Sequence, residues 1–417
     1  MRIGRTLPPT AAPIDFSDIL AGLKHDASGV NHIKSLKEDI RLHFGVKHCF
    51  LVSSGRAALT MILLAMKNLQ NKTKNEVVLP AYTSFSVPSA VVRAGLKVSL
   101  CDIDPETMGI DIESLKKALS DKTLCIVICH LFGYPCNLEA ILKVAREKKI
   151  FVIDDAAQSM GATFKGKPLG TFGDAGLFSL SRGKNITTVD GGIIITNSDD
   201  IAEQISKIRL KHVNILDRLG IIFRAMTMSV LLRPIFYWIP QGLPFLRLGA
   251  SIFSTKFDLK EFTEFQAKIG QRMFKKLDKI NDIRKKIAKK LIAALSGCDN
   301  IKFPKEIECA ESVFLRLPLI CDVKCECGQP SLGVVRSYPH PLNEIIKLRP
   351  HLVNYNKSFP KAKLFSDQLW TLPTHKFVEQ KDIENILSHF SKKFRPAQLI
   401  PQNPLQEEGW TRSGRGV

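Results

Sequence analysis

The sequence predicts an α/β fold in which a mostly parallel sheet lies between layers of helices. Short apolar runs of strand length alternate, through the first half of the chain, with amphipathic stretches of helical period. Strands that are joined through helices make right-handed crossovers, which place neighbouring strands parallel. The chain has 417 residues and is therefore long enough for a large and a small domain with sizeable cores.

Each predicted element rests on its own residue pattern. Short apolar runs predict strands at residues 48–52, 76–80, 98–102, 125–129 and 150–153. Apolar residues at three-to-four spacing predict helices at residues 33–44, 114–119, 138–147 and 199–210, and one long amphipathic helix over 260–295. Beyond Gly297, which can end that helix, residues 313–317 are predicted to form a strand and 382–394 a closing helix.

Composition indicates a globular protein of a reducing compartment. The hydrophobic fraction is 45%, and the ten cysteines are scattered, several of them within apolar strand-like runs. That usage favours buried thiols over a disulfide framework. Cys321, Cys325 and Cys327 lack zinc-site spacing and an adjoining histidine cluster, so no metal site is predicted. The N-terminus lacks the apolar core of a signal peptide, and the expected location is the cytoplasm.

The net charge of +20 raises the question of nucleic-acid binding. No basic motif interleaved with aromatic residues accompanies it, and the charge is spread over helical runs such as 284–286 and 289–290. We therefore predict no nucleic-acid partner. An anionic substrate, or the anionic inner face of a membrane, accounts better for the charge.

Residues 149–197 carry the chain's chemistry. The strand at 150–153 runs into Asp154 and Asp155, glycine-rich turns follow, and Lys184 comes after the next apolar run. Ligands of open α/β sheets bind at the carboxyl ends of strands. A lysine amine can form a Schiff base with an aldehyde, and a carboxylate can keep a pyridine nitrogen protonated so that the ring accepts electrons. The pattern suits pyridoxal 5'-phosphate as the cofactor.

A phosphate site is predicted where the strand at 48–52 meets the following apolar helix. Ser53, Ser54 and Gly55 form the turn between them. Backbone N–H groups at a helix N-terminus bind phosphate, and Gly55 is the candidate. Arg56 either pairs with the phosphate or faces solvent while the backbone binds.

These residues resemble the DegT/StrS-type nucleotide-sugar aminotransferases, a family of fold-type I pyridoxal-phosphate enzymes. The family reads roughly E-D-A-A-Q/H, K-G, G-x-x-G-D, F-S-F, K-N-x-T and G-G in that order. The corresponding segments here are Asp154-Asp155-Ala156-Ala157-Gln158, Lys165-Gly166, Gly170-Thr171-Phe172-Gly173-Asp174, Phe178-Ser179-Leu180, Lys184-Asn185-Ile186-Thr187 and Gly191-Gly192. The resemblance covers residues 30–395 apart from 219–250.

The resemblance implies a role for each matched site residue. Lys184 is the catalytic residue that carries the cofactor as a Schiff base. Asp155, the aspartate followed directly by Ala-Ala, holds the ring nitrogen, and Gln158 approaches the phenolic oxygen. Ser179 and Gly55 bind the cofactor phosphate.

Two positions depart from the family pattern. Arg56 stands where the family has threonine, and Ser84 stands where an aromatic residue usually stacks on the cofactor ring. Tyr82 or Phe85 supplies that ring face, or Ser84 leaves it less covered. Both aromatic residues can equally be core residues. His130 matches the family's H-L-Y-G segment and is expected to be a hydrogen-bonded structural histidine.

The function implied by the resemblance is transfer of an amino group from an amino acid, expected to be glutamate, to a keto-sugar. The sugar would be nucleotide-linked or lipid-linked and would serve amino-sugar or cell-surface polysaccharide biosynthesis. Two alternatives stay open. Sugar dehydratase relatives lack the Schiff-base lysine, whereas Lys184 is present. Lys184, Asp155 and Ser179 argue against a non-catalytic, cofactor-binding regulator or membrane scaffold, whereas Ser84 and a missing G-x-N-x-R loop keep that alternative open.

The resemblance also implies the domain organisation and a homodimer in which two subunits complete each site. The predicted units are an N-terminal arm (1–30), a large cofactor-binding domain (31–258), a linking helix with a small C-terminal α+β domain (259–395) and a flexible tail (396–417).

Residues 219–250 form an apolar insertion that the family does not require. Its longest apolar run is too short to span a bilayer and is interrupted by Arg233-Pro234, so a transmembrane helix is not expected. One interpretation buries it in the dimer interface or over the active-site mouth. The other is a monotopic helical hairpin on an anionic membrane, with apolar residues among the headgroups and arginines at lipid phosphates. The residues concerned are Ile221, Ile222, Phe223, Phe236, Tyr237, Trp238, Phe245, Arg218, Arg224, Arg233 and Arg247.

Overall fold

The computed structural model describes residues 4–11, 14–24, 29–70, 73–243, 252–298, 300–321 and 326–394. The strands are β1 His48–Val52, β2 Glu76–Pro80, β3 Lys97–Cys101, β4 Thr123–Cys129, β5 Phe151–Asp155, β6 Thr163–Phe164, β7 Lys167–Pro168, β8 Ala175–Ser179, β9 Gly192–Thr196, β10 Ile301–Lys302, β11 Ala310–Glu311, β12 Leu317–Cys321, β13 Val335–Arg336 and β14 Leu369–Leu372. The helices are α1 Phe16–Leu23, α2 His32–Phe44, α3 Gly55–Leu69, α4 Ser86–Arg93, α5 Ile112–Ala118, α6 Leu138–Lys148, α7 Asp199–Ser206, α8 Ile215–Leu231, α9 Trp238–Gln241, α10 Glu264–Phe274, α11 Leu277–Leu295, α12 Pro360–Gln368 and α13 Gln380–Lys393.

A seven-stranded sheet in the order β1-β9-β8-β5-β4-β2-β3 forms the centre of the protein. Strand β9 is antiparallel to both of its neighbours, and the other six strands run in one direction. The predicted α/β class with a mostly parallel sheet is therefore confirmed. The carboxyl ends of these six strands meet at one edge, where the segments following β1, β2, β4, β5 and β8 come together.

Two apolar cores cover the two faces of this sheet. Side chains alternate across a strand, so Val77 and Leu79 face one core and Val78 faces the other. The first core continues into the C-terminal part of the chain through Leu319 and Trp370. That part holds a four-stranded antiparallel sheet in the order β10-β12-β14-β13, packed with α11, α12 and α13. The division of the chain at residue 259 remains a prediction.

The single long helix predicted over 260–295 is wrong. The chain forms α10 and α11, and Lys275 and Lys276 lie outside both helices. At this break the Lys276 ammonium donates to both carboxylate oxygens of the buried Asp18, each at 2.8 Å. Helix α10 packs on α1 and α2, whereas α11 packs on α13. The three-to-four spacing of apolar residues continues from α10 into α11 because each helix buries one apolar face. The two faces pack on different helices.

The strand predicted at 313–317 lies four residues further on, as β12. The residues before β12 do not join its sheet. The Val313 N–H donates to the Gly133 carbonyl at 3.0 Å, and Phe314 has a left-handed φ of 47°, which is not a strand conformation. Helix α7 also ends earlier than predicted, at Ser206, because Lys211 pairs with the backbone of Leu259 and Glu261.

The insertion begins with α8, which starts at Ile215 and precedes the predicted bound of 219. Within the described residues no helix is both long and apolar enough to cross a membrane. Phe245 and Arg247 of the insertion lie outside the described residues.

Candidate active site

A cavity of about 950 Å³ opens at the carboxyl edge of the large sheet. Five strands supply its floor through the residues that follow them, and α8 supplies one wall. The structure brings seven of the predicted site residues together here: Gly55, Arg56, Ser84, Asp155, Gln158, Ser179 and Lys184.

Lys184 follows β8 in a tight turn, in which its N–H donates to the Ser181 carbonyl at 3.1 Å. Within the described residues its amine takes part in no ion pair. Burial lowers the pKa of Lys184 to about 8, against the opposing attraction of the Asp155 carboxylate. At neutral pH a larger share of this amine is therefore unprotonated than in a solvated lysine. The side chain has the properties of a nucleophile or a base.

Asp154 and Asp155 are the last two residues of β5 and point to opposite faces of the sheet. Asp155 lines the cavity, and its Oδ1 accepts the Ala157 N–H at 3.0 Å. Burial raises the pKa of Asp155, although that hydrogen bond and the Lys184 charge oppose the rise. A cationic ligand group beside Asp155 would offset the cost of its burial.

Asp154 instead braces the scaffold beneath the cavity. It is fully buried, and its oxygens accept from His130 Nε2 at 2.8 Å, Gly170 N–H at 2.7 Å and Phe172 N–H at 3.1 Å. His130 Nδ1 accepts the Cys136 N–H at 2.9 Å, which leaves its single ring proton on Nε2 for Asp154. His130 therefore has the hydrogen-bonded structural role expected of it, although its side chain also borders the cavity.

An anion cradle lies where α3 begins. Ser54 caps the helix by accepting the Ala57 N–H at 3.1 Å, which leaves the N–H groups of Gly55 and Arg56 without helical partners. A Cβ at Gly55 would lie 2.9 Å from the Cβ of Ser179, so only glycine lets the helix approach that serine. The cradle therefore combines a helix N-terminus with the Ser179 hydroxyl, which is the chemistry of a phosphate site.

Arg56 and Asp190 border the same cradle. The Arg56 guanidinium lies over the Phe257 ring, 4.9 Å from its centroid. Burial raises the pKa of Asp190, and the Gly191 N–H and the charges of Arg224, Arg56 and Arg182 oppose that rise. Lys256 also lines the cavity. The wall between α3 and α8 is thus strongly cationic.

The structure does not bring Tyr82 and Phe85 into the cavity. The Tyr82 ring packs edge-on against Tyr338 and Phe365, with centroids 5.5 and 5.7 Å away, and Phe85 is buried beside Tyr338. Of the three candidates for the ring face only Ser84 lines the cavity. Tyr82 and Phe85 are core residues because the C-terminal part of the chain supplies aromatic partners, Tyr338 and Phe365, that local sequence does not reveal.

The sequence did not indicate that Tyr338 contacts residues of the site. The Gln158 amide donates to the Tyr338 hydroxyl at 3.1 Å and accepts the Phe132 N–H at 3.2 Å. The Tyr338 ring stacks on Phe132 at 6.0 Å. Sequence reasoning likewise did not assign cavity residues to α8, although the spacing of four between Ile221, Ala225 and Ser229 could have indicated its buried side.

Comparison with known proteins identifies the family. The model of the DegT/DnrJ/EryC1/StrS aminotransferase family matches residues 20–391. The chain belongs to this family. It is 38% identical to the GDP-perosamine synthase of Caulobacter vibrioides over 165 residues, which are 40% of this chain and 44% of the synthase. It is 27% identical to the pleiotropic regulatory protein of Geobacillus stearothermophilus over 375 residues, 88% of this chain and 90% of that protein.

Solved structures of the family share the fold. The aminotransferase TlmJ of Streptoalloteichus hindustanus superposes with a TM-score of 0.71 at 21% identity, covering 92% of this chain and 97% of TlmJ. The E. coli GDP-4-keto-6-deoxy-D-mannose-3-dehydratase was solved with bound hydrated PLP. It superposes with a TM-score of 0.72 at 22% identity, covering 93% of this chain and 99% of the dehydratase.

Aminotransferases of this family depend on pyridoxal phosphate, and the residues of this cavity fit that group. The amine of Lys184, the carboxylate of Asp155 and the Gly55–Ser179 cradle match an aldehyde, a pyridine nitrogen and a phosphate. The cradle is the sharpest of these observations, since a Cβ at Gly55 would fill it.

Proposed function

We propose that this chain is a pyridoxal-phosphate-dependent aminotransferase that moves an amino group from an amino acid, expected to be glutamate, to a keto-sugar. The placement of the Lys184 amine and the Asp155 carboxylate in one cavity at the carboxyl edge of the sheet carries this proposal. Membership of the family and the resemblance to a GDP-perosamine synthase support it.

Lys184 is the proposed catalytic residue. Bound pyridoxal phosphate supplies an aldehyde and a ring that withdraws electrons. With the cofactor bound, the Lys184 amine would hold its aldehyde carbon. Once an amino donor had displaced that amine, Lys184 would be the group that moves a proton from the α-carbon of the donor to the cofactor. A pKa near 8 suits both directions of this transfer.

Asp155 and the cradle hold the reacting groups in place. With the cofactor bound, the Asp155 carboxylate would stabilise the proton of the ring nitrogen, and the Gln158 amide would donate to the phenolic oxygen. The N–H groups at the start of α3 and the Ser179 hydroxyl would hold the phosphate. The Arg56 guanidinium stays on the Phe257 ring and would add positive charge beside the phosphate, while the backbone N–H groups would bind it.

The keto-sugar is proposed to enter on a diphosphate-bearing carrier. Arg182, Arg224 and Lys256 line the outer part of the cavity and provide cations for such a linkage. The carrier is a nucleotide or a lipid. A screen of both kinds of keto-sugar by mass spectrometry separates the two sources, and the product would serve amino-sugar or cell-surface polysaccharide biosynthesis.

A non-catalytic regulator is the second candidate, favoured by the match to a pleiotropic regulatory protein over most of both chains. The dehydratase alternative is less favoured, because Lys184 is present. Glutamate distinguishes the candidates. An aminotransferase given glutamate alone should lose the absorbance band of its lysine-bound cofactor within one turnover, whereas a regulator should keep it.

We also propose a cytoplasmic homodimer. The family resemblance implies that a neighbouring subunit completes each site, and this chain lacks the G-x-N-x-R loop. No disulfide is present among the described cysteines, which agrees with a reducing compartment. Sedimentation velocity tests the assembly: a monomer with full activity would contradict the homodimer.

A further inference from the structure

Helix α8 carries an apolar face that no described residue covers. Six of its apolar side chains are exposed, with Leu216 at 74% and Phe223 at 67%. At about 100° of turn per residue these side chains fall within a single arc of about 100°. We call this arc the outer face; it consists of Ile215, Leu216, Leu219, Phe223, Met226 and Val230. A contiguous exposed apolar face marks an interaction site.

The other sides of α8 fix the helix to the protein. Ile221, Ala225 and Ser229 are buried at a spacing of four. Arg224 and Met228 line the cavity, as does Phe223 at the edge of the outer face. Helix α1 contacts α8 and exposes three more apolar side chains, Phe16, Leu20 and Leu23. The outer face is therefore held away from the core and lies beside the mouth of the cavity.

The charge beside this face is predominantly positive, because Asp217, the acid of α8, is paired with Lys260 at 2.7 Å. No Asp or Glu occurs between residues 218 and 257. Arg218, Arg224 and Arg233 are exposed, and within the described residues none of them forms an ion pair. The Nε atoms of Arg224 and Arg233 donate to the carbonyls of Gly220 and Ser229, at 3.2 and 3.1 Å. Arg224 also lines the cavity, so Arg218 and Arg233 are the arginines left for oxygens outside the protein.

We propose that the outer face of α8 docks on an anionic lipid bilayer, with the helix lying in the plane of the headgroups. Apolar side chains in one arc with flanking arginines are the composition of an interfacial helix. Lipid phosphates are the external oxygens that the arginines would meet. The docking does not rest on the reaction proposed above, although the outer face and the cavity wall are adjacent sides of α8 that meet at Phe223, which lines the cavity.

A second copy of the chain fits this face less well. In a two-fold contact the same patch meets itself, and the acid of α8, Asp217, is already paired with Lys260, so it is not free to neutralise the arginines of a second copy. A bilayer with anionic lipids supplies acyl chains for the apolar side chains and negatively charged headgroups for the arginines.

Vesicle sedimentation of the full chain tests the proposal. The chain should bind phosphatidylcholine vesicles that contain phosphatidylglycerol, bind pure phosphatidylcholine vesicles far less, and release as the salt concentration rises. Leu216→Glu should weaken the binding roughly tenfold, because it removes buried apolar area and adds repulsion. The matched control is Leu42→Glu on α2, another exposed helical leucine at 68%. Arg218→Gln should weaken binding more than Lys34→Gln, whose lysine lies on α2.

Circular dichroism verifies that each variant is folded, and sedimentation velocity without vesicles reports its assembly. Equal binding to anionic and neutral vesicles, or equal effects of Leu216→Glu and Leu42→Glu, would overturn the proposal. So would a wild-type dimer that Leu216→Glu alone converts to monomers, because the face would then belong to a second copy. Loss of vesicle binding with unchanged assembly and unchanged amino transfer from glutamate supports it.

Discussion

The Gln158 amide donates a hydrogen bond of 3.1 Å to the hydroxyl of Tyr338, a residue 180 positions further along the chain. This contact joins a residue of the cavity floor to the C-terminal part of the chain. Gln158 also accepts the Phe132 N–H, so its side chain is held from two directions. Tyr338 is thus in a position to orient the cavity amide without lining the cavity itself.

Tyr338→Phe should lower kcat several-fold with little change in Tm. The ring still stacks on Phe132, while the lost hydrogen bond costs about 1 kcal/mol in the orientation of Gln158. Steady-state kinetics and thermal melting measure the two effects. The control is Tyr355→Phe, an exposed tyrosine of the same domain; equal kinetics in the two variants would remove Tyr338 from the site.

Lys184→Ala should leave the fold intact and abolish turnover. The side chain makes no described ion pair, so its loss removes little packing or charge pairing. Borohydride reduction of the wild-type holoenzyme followed by peptide mapping should find the cofactor on Lys184. Lys256, a second cavity lysine, is the internal comparison, and label on Lys256 would refute the assignment.

Asp155→Asn and Asp154→Asn should fail in different ways. Asp155→Asn should lower turnover by orders of magnitude at nearly unchanged Tm, because the ring nitrogen loses its anionic partner. Asp154→Asn leaves a donor unsatisfied among His130, Gly170 and Phe172, and should cost about 1–3 kcal/mol of folding free energy. Chemical denaturation and kinetics on both variants test the contrast; the reverse pattern would exchange the two roles.

Gly55→Ala should weaken cofactor binding by roughly tenfold or more, since the new methyl group would lie 2.9 Å from the Cβ of Ser179 and would displace the serine that is proposed to bind the phosphate. Equilibrium dialysis with the cofactor provides the dissociation constant. Gly297→Ala is the matched control because no atom lies within 4 Å of a Cβ at that position. Unchanged affinity in a folded Gly55→Ala protein would move the phosphate site elsewhere.

The rate at which the cofactor-free protein attaches cofactor to Lys184 should rise with pH and level off above about pH 8. Burial lowers the lysine pKa to about 8, so the reactive free amine accumulates as pH rises through that value rather than through the ordinary lysine range. Stopped-flow absorbance across this range measures the profile. A rate that climbs until about pH 10 would indicate a solvated lysine.

Short apolar runs predicted strands of the large sheet, and the family resemblance then singled out the residues proposed for the site. Gly55, Ser84, Asp155, Gln158 and Ser179 each follow or end a strand that short apolar runs identify. Parallel strands bring their carboxyl ends to one edge, so residues at those ends meet in any such fold. The same logic placed Lys184 near them, because only a short turn separates it from β8.

Tertiary structure decided what depends on distant partners. Tyr82 is a core residue because Tyr338 and Phe365 pack on it, and the helix predicted over 260–295 breaks where Lys276 reaches Asp18. Helix α8 reveals its apolar residues in the sequence, but only packing determines that one side meets the core, one the cavity and one solvent. A residue pattern reports which side chains must be buried, whereas the partner that buries them is set by contacts hundreds of residues apart.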